Sequence, residues 1–206
     1  MAQATDTTAV LPTNIKAVPT DPFIVLLRGV YVPIPMASGA PDLGLEGIDL
    51  NDGTYSRTRI YPVFGIPDAE NSNDNQHRTN VSTTPIGNFY AQLAAAFSGT
   101  PLDQVKIAYQ LPGGAITQRF LSGGFVPFPD GKGGQYLEGA FDLTITDATG
   151  IYKDFKGGHN HMVDRLHALA DGRFNEFCFC NISKYEFPYA PQGVYPAPPP
   201  AGGMSM

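Results

Sequence analysis

The chain has 206 residues, 42% hydrophobic and 16% charged, with a net charge of −6 and a pI of about 5.0. That is long enough for one domain with a real core, and the acidic balance lacks the basic stripe of a nucleic-acid binder. No stretch of about 18 apolar residues occurs, which argues against a membrane-spanning helix, and the first residues have neither the basic nor the apolar region of a secretory signal.

In chain order, residues 1–20 are Thr/Ala/Pro-rich and unpatterned, and a flexible arm is expected there. The domain is expected to span 21–187. Phe23–Val32 is β-rich and apolar on both faces, so it needs a lumen on one side and a covering element or another subunit on the other. Residues 36–56 look like a long loop, and Thr58–Phe64 like an edge or bulged strand because Pro62 interrupts it. The polar run 65–84 is long for a loop in a compact domain, which points to function or disorder. Ile86–Phe97 has helix propensity from its alanines but is bracketed by Gly87 and Gly99 at strand length; we take it as a strand.

Val105–Leu111 alternates cleanly, Pro112-Gly113-Gly114 turns it, and Ala115–Leu121 returns. Phe125–Phe128 leads to a turn at Pro129-Asp130-Gly131. Phe141–Thr146 alternates with Leu143 and Ile145 on one face and Asp142, Thr144 and Thr146 on the other. Residues 147–150 form a turn, and 151–157 an aromatic knuckle closed by glycine. His159–Ala170 fits a helix or a strand. As a strand it puts Met162, Asp164 and Leu166 on one face and His159, His161, Val163, Arg165 and His167 on the other. Asp171-Gly172 then makes a hairpin to Phe174–Ser183. Residues 188–206 form a Pro-rich tail, expected to be disordered.

The only cysteines, Cys178 and Cys180, share one strand face. Their α-carbons would lie about 6.6–7 Å apart, at or beyond the disulfide limit, so they are expected to be free and buried. With no disulfide framework and no secretory signal, a cytoplasmic location is expected.

Ile145, Thr146, Thr149, Gly150, Tyr152, Phe155 and Gly157 carry a resemblance. Their spacing resembles the strand–turn–strand signature of the allene oxide cyclase barrel and the related dirigent proteins. Asp147-Ala148 stands where that signature has two glycines, and Phe155 where it has alanine. The resemblance covers about the last third of the domain. It implies a single all-β, antiparallel, eight-stranded β-barrel, and a homo-oligomer (dimer or trimer), since both families form trimers. It also favours the strand over 159–170. Allene oxide cyclases are cofactor-free isomerases that fold a reactive epoxide in an apolar barrel, and dirigents orient reactive intermediates. The dirigent arginine before the knuckle glycine corresponds to Lys156.

No nucleophile elbow or phosphate loop is present. Polar residues on otherwise apolar strands are therefore the candidate site. Glu176 sits on the Cys178/Cys180 face, where burial would raise its pKa and suit it to general acid–base work. Glu176, Tyr109, Arg119 and Tyr90 are the catalytic candidates, and Arg28, Tyr31, Tyr61, Lys156, His159 and His161 the substrate-binding ones. No metal and no cofactor are assigned: His159 and His161 have no evident third ligand, although His77 or Glu138 could supply one through the fold. The leading expectation is a cofactor-independent cyclase or isomerase acting on a small hydrophobic epoxide, enone or polyene, in specialised metabolism. The alternatives are a carrier of an apolar ligand, a cupin-like metal enzyme built on His159/His161, and a structural or assembly protein.

Overall fold

The computed structural model describes residues 18–36, 39–67 and 83–185. The expected arm up to residue 17, most of the polar run 65–84 and the Pro-rich tail lie outside them. Eight strands close on themselves in sequence order as a barrel: β1 (Phe23–Pro33), β2 (Ser56–Phe64), β3 (Gly87–Ala91), β4 (Ile107–Leu111), β5 (Gly114–Pro129), β6 (Gln135–Ala148), β7 (His159–Ala168) and β8 (Phe174–Ser183). Every neighbouring pair is antiparallel, with β8 returning to β1. The expected fold class is therefore met. Among the described residues no helix is long and apolar enough to cross a membrane.

Two elements differ from the expectation. The segment 86–97 is not one strand: β3 stops at Ala91, and α1 (Leu93–Phe97) follows. The alanines prevail once pairing with β2 and β4 ends. In addition, β5 is one strand of 16 residues where two short ones were expected. Its continuity is hidden by a bulge at Leu121, which has no partner between Phe120↔Leu143 and Ser122↔Asp142. The extra residue changes the parity of the strand, so Phe120 and Phe125 both face inward. Pro62 also sits at a register irregularity, where Val25 pairs with it, but in a closed barrel that strand has no free edge.

Alternation sets the two faces. Phe23, Val25, Leu27 and Tyr31 of β1 point into the lumen with Cys178, Cys180 and Ile182 of β8 and Met162 and Leu166 of β7. Outside, residues 39–55 wrap part of the wall. Leu43, Leu45, Leu50 and Tyr55 pack there against Tyr90, Ala108 and Ala115 as a second core. The long loop thus covers an apolar outer surface that would otherwise face water.

The knuckle is a 3-10 helix, Gly150–Phe155, which plugs one end of the barrel. Tyr152 and Phe155 both pack edge-on against Phe23, and the Tyr152 hydroxyl donates to the Pro112 carbonyl at 3.1 Å. Asp147, where the resembling signature has glycine, accepts from the Glu46 amide at 2.9 Å and pairs with Lys156 at 3.0 Å. It ties the knuckle to the outer loop.

Gly150 has φ +60°, and an added Cβ would lie 1.8 Å from the Gly113 carbonyl oxygen; Gly157 has φ +87° with nothing within 4 Å. A left-handed alanine costs about 1–2 kcal/mol at either position. At Gly150 the clash should add about 1–3 kcal/mol. Gly150→Ala is therefore expected to lower the urea midpoint clearly more than Gly157→Ala does, and equal midpoints would contradict the close approach.

Candidate active site

Most of the lumen is filled with side chains. At the plugged end the filling is aromatic and aliphatic. In the middle, the Asn160 amide donates to the Tyr109 hydroxyl at 3.1 Å and to Gln118 Oε1 at 2.9 Å. The Tyr109 hydroxyl also contacts Cys180 Sγ at 3.5 Å and Met162 Sδ at 3.6 Å.

The hollow is at the other end. A cavity of about 50 Å³ lies beneath α1 and the 3-10 helix Leu102–Gln104. Its walls are apolar and rich in rings: Phe89, Phe97, Phe120, Phe125 and Phe141, with Tyr31. Among the described residues lining it, Asp164 and Glu176 are the only ones with a carboxyl group, and none is Lys, Arg or His.

The strands bring those two acids together. Across the β7–β8 hairpin, Asp164 pairs with Cys178 and Leu166 with Glu176, so the two acids sit diagonally on the lumen face. Across β1, Glu176 faces Gly29, which carries no side chain. The Tyr31 hydroxyl hydrogen-bonds the Glu176 carboxyl. Asp164 is 8% exposed and Glu176 3%. Asp164 Oδ1 and Glu176 Oε2 have no hydrogen-bond partner. Unpartnered buried carboxyl oxygens are costly, and a catalytic role, a water or a bound group is what accounts for them.

Burial disfavours the charged form of each acid. It pushes the Asp164 carboxyl from 3.8 to about 7. It raises Glu176 well above the carboxylate range, and the charge of Asp164 raises it further, against the opposing Tyr31 hydrogen bond. Burial likewise raises the Tyr31 and Tyr109 hydroxyls and the Cys178 thiol. Two interacting carboxyls titrate as a unit. Around neutrality the pair holds protons in an apolar pocket and can both give and take them.

Asp164, Glu176 and Cys178 each offer one potential ligand atom, all within 4.8 Å of one another. A metal ion would need the thiol and the carboxyls deprotonated, whereas their burial favours the protonated forms. The Cys178 thiol is also directed to the Phe179 carbonyl and to Cys180 Sγ, at 3.7 Å each. With the thiol engaged in this way, the two carboxyls are the groups of the trio that face the hollow.

The other sequence candidates scatter. Tyr109 points inward but lies below the cavity, in the Asn160 network. Tyr90 faces outward into the second core, its hydroxyl donating to Gln110 Oε1 at 2.8 Å. Arg119 is exposed. Arg28 lies on the outer wall, stacked 4.5 Å over the Tyr61 ring. Lys156 is at the knuckle. His159 contacts the Tyr185 carbonyl, and His161 pairs with Asp142 at 2.8 Å. Asp142 also accepts from Ser122 at 3.0 Å. Here the carboxylate stands between serine and histidine, the wrong order for activating a nucleophile. Of the sequence candidates, Glu176 and Tyr31 line the cavity. Asp164 was missed, although an aspartate alternating with Met162 and Leu166 on an apolar face is a visible signal.

No family model, no curated protein and no solved structure matches this chain.

Proposed function

We infer that the protein is a cyclase or isomerase that needs no cofactor and acts on a small hydrophobic molecule, an epoxide, enone or polyene, held in the cavity. The observation that carries this reading is the Asp164–Glu176 pair, with an unpartnered oxygen on each acid, facing an aromatic-walled hollow. A carrier needs no convergent acids, so the pair favours turnover over storage. One carboxyl would protonate an epoxide oxygen, carbonyl or alkene, and its partner would take a proton back, leaving the composition unchanged. The walls would hold a flexible chain near its reactive shape and so remove entropy from the barrier. The allene oxide cyclase-like signature of 145–157 agrees with such chemistry.

A hollow of about 50 Å³ has room for little more than water, so a larger guest needs part of the wall to move, and we take α1 as that part. That helix has no buried residue and no side-chain N-cap bond, the features of an element that opens at low cost. Its Phe97 ring lies flat on Phe174 at 4.7 Å.

The reading includes a homo-oligomer. Val30, Val32, Val126, Phe128, Val163, Phe177 and Phe179 are exposed on the outer wall, and Arg165 and Glu138 form an ion pair among them at 2.6 Å. A second copy is the covering element that the doubly apolar first strand called for.

The test is native mass spectrometry of protein from its own host. A co-purifying apolar molecule at one per chain is expected, accumulating unreacted in Glu176→Gln. Bound molecule turned over equally by the variant would retire the acid-pair mechanism.

A further inference from the structure

We propose that the cavity recognises a hydrophobic primary or secondary amine, bound as its ammonium ion between Asp164 and Glu176. This names a substrate class for the site described above and rests on that site being a ligand cavity.

Three observations converge. Asp164 Oδ1 and Glu176 Oε2 are acceptors without donors, on side chains more than nine-tenths buried, at the wall of a hollow. The remaining wall is dominated by six rings, whose faces carry partial negative charge and attract cations. Among the described residues the lining supplies no cationic side chain. A site shaped for an oxyanion would present N–H donors or a guanidinium; this one presents acids and aromatic rings. The two acids and the rings favour positive over negative charge in the guest.

The number of N–H bonds sharpens the class. A neutral amine entering the cavity takes one proton from the pair: an O–H bond breaks, an N–H bond forms, and one carboxyl becomes carboxylate. A primary or secondary amine then has at least two N–H donors, enough for both unpartnered oxygens. A tertiary amine has one, and a quaternary ammonium none. The carboxyl that gives up its proton is then a base beside a second carboxyl. Anchoring therefore prepares the pair for proton transfer at the reacting end of the same molecule.

The test is calorimetric titration of the full chain at pH 7 with isopropylamine, isobutylamine and benzylamine, each against its isosteric alcohol, and with N,N-dimethylbenzylamine. At least one primary amine is expected to bind ten-fold or more tightly than its alcohol, and the dimethyl compound more weakly than benzylamine. Glu176→Gln and Asp164→Asn should each weaken the amine about ten-fold more than they weaken its alcohol. Alcohols that bind as well as the amines would overturn the amine preference and leave the ligand cavity standing. If no probe binds, and no molecule co-purifies from the host, both the preference and the ligand cavity fail.

Discussion

At pH 8, Asp164→Asn is expected to be more stable to urea than the parent, by about 2–4 kcal/mol, Glu176→Gln is expected to be more stable too, and both should be close to the parent at pH 4.5. An unfolded aspartate or glutamate releases its proton near pH 4. In the barrel, burial holds the Asp164 proton up to about pH 7, and Glu176 keeps its proton higher still. Between those limits the folded chain binds protons that the unfolded chain has lost, so stability falls as pH rises. For Asp164 the displacement from 3.8 to about 7 corresponds to about 4 kcal/mol once both states are ionised. The groups facing the pair are Tyr31 on β1, Tyr109 on β4, and Cys178 and Cys180 on β8. None of them supplies a positive charge to offset the loss. Because the two acids interact, the double variant should gain less than the sum of the singles. An amide of the same shape cannot ionise, so its stability curve should lose part of the slope. Turnover should fall about 10²–10⁴-fold in the same variants, the usual share of a general acid or base. Gained stability with lost activity is the mark of a site kept at the expense of the fold. Urea midpoints at the two pH values decide it: variant and parent curves that run parallel would mean that the pair is not a buried acid pair.

The two halves of the site differ in how far the chain reveals them. Glu176 was legible because one strand carries it on the same face as two cysteines, and no other reading of 174–183 competes. Asp164 needed one further step, the register of the Asp171-Gly172 hairpin. That register pairs Asp164 with Cys178 and so puts it diagonal to Glu176. Tyr90 and Tyr109 are one residue type on adjacent strands, yet they point to opposite faces. Alternation within Val105–Leu111 placed Tyr109 inward. Tyr90 lay in a segment whose strand ends after Ala91, and its outer face is made apolar by residues 39–55, far away in the sequence. No local pattern announces which loop will cover a wall. The cavity itself depends on the bulge at Leu121, which lets rings from positions of unlike parity meet. A single unpaired residue leaves no periodic trace. Alternation and turns therefore made most of the strands readable, the resemblance over 145–157 implied their closure into a barrel, and the position of the hollow was not readable.

The rings around that hollow have separable duties, and two truncations should tell them apart. Phe141 is buried and meets Phe120 edge-on at 5.4 Å and Phe125 at 4.8 Å. It is the ring on β6 that the bulged part of β5 closes around. Phe141→Ala removes a buried ring from contacts that cannot fully collapse, so a loss of about 3–5 kcal/mol is expected. Phe97 sits on α1, is 43% exposed, and keeps one flat contact with Phe174. Phe97→Ala should cost about 1 kcal/mol or less, in line with a surface change. If α1 is the entrance, the smaller change in stability should bring the larger change in kinetics. Association of a bound amine or alcohol should speed up in Phe97→Ala, and amide exchange across 92–99 should rise with the β-strands unaffected. In Phe141→Ala the enlarged hollow should admit bulkier probes at equilibrium. Stopped-flow association, hydrogen exchange and urea unfolding on the two variants give the comparison. Should Phe97→Ala leave both association and exchange unchanged, the way in lies elsewhere, between the strands of β5 and β6 or through the knuckle. The acid pair would then have to be reached past Tyr109 and Asn160, the most tightly hydrogen-bonded layer of the lumen.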